Sequence, residues 1–272
     1  MVKILINGLQ QDTISALDRG LHYGDGVFET IKVHLGRLVL LEQHLLRLNE
    51  GCKRLRIQLA SLDVIIDEAK ALIQGEVNAV IKIIVTRGQG GRGYRMPASA
   101  DNTRIIICYP FPAYPAERLK EGVKICLCTN RLSINPQLAG VKHLNRLEHI
   151  LAANEWLDDS IAEGLMMDQY GNIIEGTMSN VFLVSNGRLI TPDLTNCGVA
   201  GIMRQQLLDA AQDLGISHDI REVKKEELFA ADEVFLTNSL IGIWPVRKIE
   251  HRDYSGGLTT QRLMQELVRR EV

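Results

Sequence analysis

Residues 140–148 are the stretch on which the interpretation of this chain depends, and they read Gly-Val-Lys-His-Leu-Asn-Arg-Leu-Glu. Lys142 is the only lysine between Lys124 and Lys224, and it lies where an irregular segment gives way to a helical pattern. A neutral lysine amine facing a cavity can attack a carbonyl group and form a Schiff base. Burial or neighbouring cations would have to lower its pKa from about 10.4, because only the neutral amine attacks. A solvated lysine at a helix start is the more common case, so the assignment of Lys142 depends on motifs elsewhere in the chain.

The composition narrows the class of protein. The 272 residues suffice for one large core or two moderate ones, and two are the better expectation. A net charge of −2 argues against nucleic acid as a partner. Five cysteines, an odd count without metal-ligand spacing, predict reduced thiols in a cytoplasmic protein. No apolar run approaches the roughly 18 residues of a membrane helix, and no signal peptide is expected.

Periodicity in the first half predicts a compact α+β unit. Residues 2–6 alternate between apolar and polar as a strand does. Apolar residues recur at 4-3-4-3 spacing over 41–56, which predicts an amphipathic helix. Ser61 is placed to cap a second helix. Two runs rich in β-branched residues, 79–86 and 103–109, predict further strands.

Three prolines within six residues, beginning at Pro110, predict a linker between two domains. The predicted limits are an N-terminal domain at 1–110, a linker at 111–121 and a C-terminal domain at 122–272. Apolar spacing in the C-terminal part predicts helices at 145–158, at 202–214 and from about 258.

Three features could bind a phosphate group. Gly201 and Ile202 place backbone N–H groups at the start of a predicted helix, where the helix dipole favours an anion. Asn238 and Ser239 offer amide and hydroxyl donors at the end of a predicted strand. Arg47 lies one residue from the apolar stripe of the first helix, where its guanidinium could reach inward. Each feature is common by itself, so none identifies a site alone.

The glycine-rich loop at 87–94 invites a nucleotide-binding interpretation, which its sequence does not support. It lacks the Gly-Lys-Ser/Thr ending of a phosphate loop, and its glycine spacing is wrong for a dinucleotide fold. As an RNA-binding Arg-Gly segment it is too short for a chain of this net charge. Two arginines of this loop, Arg87 and Arg92, could instead contact carboxylates. The same holds for Arg95, which comes directly after the loop.

Two other polar groups need a decision between a structural and a functional role. Glu175 in isolation is most simply an exposed carboxylate in a turn, and it gains interest only if it pairs with a protonated ring nitrogen. His143 and His149 do not have the spacing of metal ligands, so no metal site is predicted.

Taken together, the ordered motifs resemble the pyridoxal-phosphate enzymes of fold type IV, which include branched-chain transaminases, D-amino-acid transaminases and aminodeoxychorismate lyases. The resemblance runs essentially from end to end. The matching segments are 18–20, 23–29, 44–48, 140–148, 175–182, 201–204 and 237–239. The family implies an α/β (α+β) fold, with a small N-terminal α+β domain, a larger C-terminal α/β domain and the cofactor between them. It also implies a homodimer whose partner subunit helps to close the site.

The resemblance implies a role for each matching residue. Lys142 would bind pyridoxal 5'-phosphate covalently and later move the proton. Glu175 would keep the pyridine nitrogen protonated, which makes the ring an electron sink. The phosphate would be bound by Arg47, by the backbone at Gly201 and Ile202, and by the Asn238–Ser239 pair.

Within the family, residues 140–148 and the loop at 87–94 look most like the aminodeoxychorismate lyases. These convert 4-amino-4-deoxychorismate to 4-aminobenzoate and pyruvate, a step toward folate. The D-amino-acid transaminases carry a tyrosine where Phe28 stands and a histidine where Tyr94 stands. A D-amino-acid or branched-chain transaminase is the alternative of the same fold. A storage protein for pyridoxal phosphate is the alternative of another class, and the Lys142–Glu175 combination argues against it because storage needs no protonated pyridine.

The substrate contacts follow from the lyase chemistry. Thr30 or Tyr94 is the candidate donor of a proton to the departing enolpyruvate. The substrate carries two carboxylates, for which Arg92 is the first candidate and Arg95 the second.

Overall fold

The computed structural model describes residues 2–97 and 101–270. These residues form two compact units. The first contains the described residues up to Pro112 together with Val141–Asn145, and the second contains the rest. The predicted domain limits stay a prediction, and the segment around Lys142 belongs by its contacts to the first unit.

An antiparallel sheet of five strands forms the frame of the first unit. The strands are β1 (Lys3–Ile6), β2 (Gly26–His34), β3 (Arg37–Leu38), β4 (Asn78–Thr86) and β5 (Thr103–Pro110). Their order across the sheet is β1-β5-β4-β2-β3. The nine residues of β2 pair with all nine of β4. Because side chains alternate along a strand, these two strands present one apolar face and one face with polar groups.

Three helices accompany this sheet, α1 (Arg19–Tyr23), α2 (Leu41–Leu55) and α3 (Leu62–Leu72). The helix predicted at 41–56 and the strands predicted at 79–86 and 103–109 are confirmed. Leu45 and Leu48 of the α2 stripe are buried in the core with Ile31 of β2. Ser61 immediately precedes α3 as predicted, although its side chain makes no capping hydrogen bond.

The second unit is built on a sheet of nine strands. They are β6 (Val123–Leu132), β7 (Ile161–Asp168), β8 (Ile173–Gly176), β9 (Asn180–Ser185), β10 (Arg188–Pro192), β11 (His218–Arg221), β12 (Glu233–Asn238), β13 (Gly242–Ile249) and β14 (Arg252–Asp253). The order is β11-β10-β9-β12-β13-β6-β7-β8, with β14 on β13. β8 also pairs with β9, so the six strands from β9 to β8 in this order, both included, close into a ring. The closing pair is Glu175 with Asn180, which places a predicted site residue at the junction.

The helices of the second unit are α4 (Glu117–Lys120), α5 (Leu147–Ala153), α6 (Ile202–Asp213), α7 (Lys225–Ala230) and α8 (Leu258–Arg269). The helices predicted at 202–214 and from 258 are confirmed. No helix among the described residues is long and apolar enough to cross a membrane.

The helix predicted at 145–158 is wrong in both its limits, since α5 has only seven residues. At its start, Leu144 N donates to Gly26 O at 3.0 Å, so the preceding backbone lies along β2 and is not helical. At its end, Asn154 Nδ2 donates to Ile150 O at 2.7 Å, a bond by which a side chain satisfies a carbonyl near the C-terminus. Leu147 and Leu151 are exposed and do not join the core.

Candidate functional site

A buried ion-pair cluster connects β2 to α2 in the first unit. Arg47 donates from Nε to Glu29 Oε1 at 2.7 Å and from Nη2 to Glu29 Oε2 at 2.6 Å. His44 Nδ1 lies 2.6 Å from the same Oε2. Burial alone would raise the pKa of Glu29, but the Arg47 guanidinium and the hydrogen bonds hold it at about 2. Burial also lowers the pKa of His44, against the effect of Glu29. Arg47 is therefore held by a carboxylate that the sequence reasoning had not singled out.

Lys142 lies beside the first residues of β2. Phe28 N donates to Lys142 O at 3.0 Å, and His143 forms a bridge with Val27. The Lys142 ammonium nitrogen is 4.3 Å from the centre of the Phe28 ring. An ammonium at this distance over an aromatic face is attracted by the ring. The backbone of Lys142 is thus fixed against β2, and its side chain extends along Phe28.

Thr30 lies two residues beyond Phe28 and therefore on the same face of β2. Its cross-strand partner is Lys82 of β4, whose ammonium nitrogen is 5.3 Å from the centre of the Phe28 ring. The structure thus places Lys142, Thr30 and Lys82 around one aromatic side chain. Sequence reasoning missed Lys82, although a signal existed: it is the only charged residue in the run 79–86.

The loop after β4 is held at its base by two arginines on one carboxylate. Arg87 donates to Asp25 at 2.7 and 2.9 Å, and Arg19 donates to Asp25 at 2.9 Å. Burial opposes ionisation of Asp25, but these guanidinium groups lower its pKa. Of the three arginines expected to contact carboxylates, Arg87 is confirmed.

The tip of this loop is exposed. Tyr94 is 86 % exposed, and its ring packs against Tyr23 at 5.5 Å between centroids. Arg92 and Arg95 are exposed as well. The role of Tyr94 as a proton donor and the substrate roles of Arg92 and Arg95 remain predictions.

Glu175 is the central acidic group of the second unit. It is buried at the end of β8, only 3 % exposed, so it is not the exposed turn carboxylate of the simple interpretation. Val199 N donates to Oε2 at 2.8 Å, and Asn180 Nδ2 lies 3.4 Å from the same atom. His149 Nε2 lies 3.1 Å from Oε1. Its neighbours can all act as donors, which leaves Glu175 as an acceptor.

The start of α6 fits the prediction of an anion site. Gly201 precedes the helix in an extended conformation, and no side chain caps the helix start. The first turn of α6 carries no acidic residue. A Cβ atom at Gly201 would lie 1.9 Å from Asn180 Oδ1, so only glycine fits there. Because first-turn N–H groups have no partner within a helix, those following Gly201 and Ile202 are suited to a phosphate.

Asn238 is the last residue of β12 in the same unit, and Ser239 follows it. Asn238 Oδ1 accepts from Leu240 N at 2.8 Å and from Ile241 N at 3.0 Å, and its Nδ2 donates to Met178 O at 3.0 Å. The Asn238 side chain therefore organises two turns. A phosphate contact by this pair remains a prediction.

Glu163 is a second buried carboxylate that sequence reasoning missed. Its Oε1 accepts from Gly164 N, Thr177 N and Thr177 Oγ1 at 3.0, 3.1 and 2.5 Å. Its Oε2 accepts from Met178 N at 3.2 Å and from Ser179 Oγ at 2.9 Å. Burial raises the pKa of Glu163, and these donors oppose the rise. No sequence signal identified it, because its partners other than Gly164 are 14 to 16 residues away in the turn between β8 and β9.

The groups within each unit match the chemistry of pyridoxal 5'-phosphate. The second unit offers a buried carboxylate acceptor at Glu175 for a pyridine N–H and an uncapped helix start after Gly201 for a phosphate. The first unit offers the amine of Lys142 and the guanidinium of Arg47. These donor and acceptor types fit the cofactor.

Comparison with known proteins agrees with this assignment. The chain is 36 % identical over 267 residues to an aminodeoxychorismate lyase from Vibrio harveyi, covering 96 % of this chain and 98 % of the relative. It superposes on the crystal structure of 4-amino-4-deoxychorismate lyase from Pseudomonas aeruginosa with a TM-score of 0.94, at 47 % identity and covering 98 % of each chain. It is also 31 % identical over 247 residues to the branched-chain-amino-acid aminotransferase of Escherichia coli, covering 87 % of this chain and 80 % of that protein.

These similarities extend over nearly the whole chain and include both a lyase and a transaminase. The family model described as amino-transferase class IV matches residues 26–249, which include the Phe28 cluster and the groups around Glu175. This chain therefore belongs to the amino-transferase class IV family.

Proposed function

We propose that this chain is a 4-amino-4-deoxychorismate lyase, which forms 4-aminobenzoate and pyruvate in a step toward folate. The observation that carries the proposal is the group of side chains around Phe28. Lys142 and Lys82 lie against its ring, with the Thr30 hydroxyl on the same strand face. The site therefore has an amine for covalent chemistry, a hydroxyl for proton transfer and a separate cation for a carboxylate. Similarity to relatives named as this lyase supports the same conclusion.

Pyridoxal 5'-phosphate is the cofactor of this family, and when bound it supplies an electron sink for the carbon that loses a proton. The amine of Lys142 would hold the cofactor until the substrate amine takes its place, and the released Lys142 amine would then remove the proton from the amine-bearing ring carbon of the substrate. The bond from the adjacent carbon to the enolpyruvyl oxygen breaks, and the ring becomes aromatic. The released enolpyruvate takes up a proton and becomes pyruvate. No atom is oxidised or reduced by an external reagent in this sequence.

The remaining residues bind and orient. Glu175 would accept the pyridine N–H, and the phosphate would be bound by Arg47, Gly201, Ile202, Asn238 and Ser239. Thr30 is the first candidate for the proton donor, since it lies on the face that carries Phe28, and Tyr94 is the second. We add Lys82 to Arg92 and Arg95 as a carboxylate-binding cation, because Lys82 is beside Phe28 and the two arginines are exposed on the loop.

We also propose that the enzyme is a homodimer. The support is the outer face of α5, where Leu147, Ile150 and Leu151 are 72, 54 and 61 % exposed. Apolar side chains at this spacing form one continuous strip on a helix, and a strip of this kind usually covers a partner. A second copy is the partner expected in this family, and the loop carrying Arg92 would then lie near the cofactor of that copy.

We also propose the domain limits and the cellular location. The domains of the enzyme are 1–110 and 122–272, joined by the linker at 111–121. The location is cytoplasmic, which is supported by five cysteines that are all free thiols.

The experiment that tests the function is a product assay on enzymatically generated 4-amino-4-deoxychorismate. We expect equal amounts of 4-aminobenzoate and pyruvate from the purified protein with pyridoxal phosphate. The same assay with Lys82→Met should raise the substrate concentration for half-maximal rate by about tenfold, which corresponds to one lost charge-assisted contact of about 1.4 kcal/mol. Absence of 4-aminobenzoate in the wild-type reaction would contradict the lyase assignment.

A further inference from the structure

His149 is an ionisable neighbour of Glu175 that lies on a helix and not on the surrounding strands. It lies on α5, three residues after Arg146, so both side chains project from the same side of the helix start. His149 Nε2 is 3.1 Å from Glu175 Oε1 and 3.3 Å from Arg146 Nη1. The imidazole therefore lies between a cation and the carboxylate.

The hydrogen-bond pattern determines which tautomer of His149 fits. Its Nδ1 atom is buried and has no hydrogen-bond partner in the described part of the chain. A proton on Nδ1 would be a buried donor without an acceptor, and the Nε2 lone pair would then face a carboxylate oxygen. A proton on Nε2 instead forms a charge-assisted bond to Oε1 and leaves only a lone pair unsatisfied at Nδ1. The neutral Nε2–H tautomer is therefore the form that the site accommodates.

Arg146 Nη1 lies 3.3 Å from the same Nε2 atom. A guanidinium can only donate, so Nε2 cannot form a hydrogen bond with both Arg146 and Glu175. The contact with Glu175 Oε1 is the shorter at 3.1 Å, and Nδ1 has no acceptor for a proton among the described residues, so the Nε2–H is assigned as the donor to Oε1. Together with Val199 N on Oε2, this donor fixes both oxygen atoms of Glu175.

We propose that His149 is a positioning residue: its Nε2–H donates to Glu175 Oε1 and holds the carboxylate as an oriented acceptor for the pyridine N–H of the cofactor. This inference rests on the role proposed for Glu175. A carboxylate held at both oxygens has lost its rotational freedom before the cofactor binds. That lowers the cost of binding and keeps the pyridine nitrogen protonated.

The test compares three substitutions in the full-length protein. His149→Leu removes the donor, His149→Gln keeps a donor, and His34→Gln is the control. His34 is exposed on β2 and bonded to Asn78, and it has no part in the proposed site. Two quantities are measured for each protein loaded with cofactor labelled with 15N in the ring. They are the dissociation constant of pyridoxal phosphate and the 15N chemical shift of the pyridine nitrogen, which reports its protonation.

His149→Leu should raise the dissociation constant about tenfold and move the 15N resonance toward that of the unprotonated ring. His149→Gln should stay within about twofold of the wild type for the dissociation constant. His34→Gln should change neither quantity. If His149→Leu does not fold, His149→Asn takes its place with the same expectation, because its shorter side chain does not reach Oε1.

A wild-type dissociation constant and resonance in His149→Leu or His149→Asn would overturn the inference. Glu175→Gln in the same measurement separates the two levels of the argument. If the 15N resonance moves in Glu175→Gln but not in the His149 variants, only the role of His149 is refuted. No shift in Glu175→Gln refutes the proposed role of Glu175, and the inference with it. The identity of the reaction is decided independently by the wild-type product assay.

Discussion

Lys142 is the residue on which the chemistry of the proposed enzyme depends. Its backbone is fixed by the bond from Phe28 N and its amine lies over the Phe28 ring. Lys82 is a second lysine near the same ring, with its ammonium nitrogen 5.3 Å from the ring centre. Because two lysine amines lie near one aromatic side chain, an experiment is needed to show which of them binds the cofactor covalently.

We expect the wild-type protein with pyridoxal phosphate to be yellow and to form a borohydride-reducible adduct at Lys142. Lys142→Ala should form no such adduct and should lose at least about 10²-fold in rate, the effect of a missing proton-transfer group. Lys82→Ala is the matched control and should keep the adduct. Mass spectrometry of peptides after reduction locates the link, and labelling of Lys82 in the wild type would disprove the assignment.

The Glu29–His44–Arg47 cluster makes a prediction about acid stability. The pKa of Glu29 is lowered from 4.5 to about 2 in the folded protein, so its ionised form stabilises the fold above pH 4.5. That contribution is lost as the pH falls from 4.5 toward 2. Glu29→Gln should cost about 3–5 kcal/mol near neutral pH, since it leaves the buried partner Arg47 without its counter-charge.

Urea unfolding of the cofactor-free protein at several pH values measures this effect. The loss of stability between pH 4.5 and 2 should be less steep in Glu29→Gln than in the wild type. Glu42→Gln, an exposed carboxylate on α2, is the control and should follow the wild-type curve. Parallel curves for Glu29→Gln and the wild type would show that Glu29 does not carry this pH dependence.

At the scale of elements, the turn between β8 and β9 connects three parts of the second unit. Glu175 precedes it, Asn180 follows it, and Asn238 donates to Met178 O within it. The turn is organised by Glu163, whose two carboxylate oxygens accept hydrogen bonds from Thr177, Met178 and Ser179. A buried carboxylate therefore shapes a loop whose ends carry proposed site residues.

Glu163→Gln should destabilise the protein by about 2–3 kcal/mol. One carboxylate oxygen, which now accepts hydrogen bonds, would be replaced by an amide N–H₂ that can only donate, so the groups that donate to it would lose their acceptor. Hydrogen exchange should become faster at the Thr177 and Met178 amides, which both donate to Glu163. The Val181 amide in β9 serves as the internal control. Unchanged exchange at Thr177 and Met178 would mean that the turn is held by its strands alone.

The outer face of helix α5 carries the exposed apolar strip of Leu147, Ile150 and Leu151, from which we predict how the protein assembles. Leu147→Glu combined with Leu151→Glu puts two like charges on the strip that we propose to be covered by a second copy. The double variant should sediment as a monomer at micromolar concentration where the wild type sediments as a dimer. Val268→Glu, at an exposed position of α8, should not change the mass. A wild-type monomer with full activity would contradict the proposed dimer.

At the scale of the whole molecule, the fold is shared by lyases and transaminases, so the reaction has to be decided by turnover. A transaminase transfers the amine to the cofactor and needs a keto acid to complete its cycle. A lyase regenerates the cofactor in each cycle without a second substrate. The Lys82 and Thr30 groups beside Phe28 favour a substrate with an additional carboxylate and a leaving group that must be protonated.

We expect 4-aminobenzoate formation to proceed with no keto acid added. The rate on D-alanine or leucine with 2-oxoglutarate should be lower by at least about 10²-fold, since neither amino acid uses the second cation or the proton donor. Both rates are measured with the same protein preparation. Rapid transamination without 4-aminobenzoate would make the transaminase the correct assignment.

The amino-acid sequence by itself determined most of the local structure. The apolar spacing over 41–56 and the β-branched runs at 79–86 and 103–109 correspond to α2, β4 and β5. These patterns are readable because burial on one face of a helix or strand imposes a period on the chain. The ordered motifs also indicated the family and its cofactor. Their order along the chain can be recognised without knowing which residues meet in space.

Only the tertiary structure decided which groups meet. Lys82 became a candidate through its register opposite Thr30, and Glu163 through donors 14 to 16 residues away. The length of α5 was mispredicted because the backbone before it pairs with β2, which overrides the apolar spacing. The tautomer of His149 likewise depends on Glu175, 26 residues further along the chain. Such contacts leave no periodic signal, because their energy depends on distances in space that sequence separation does not encode.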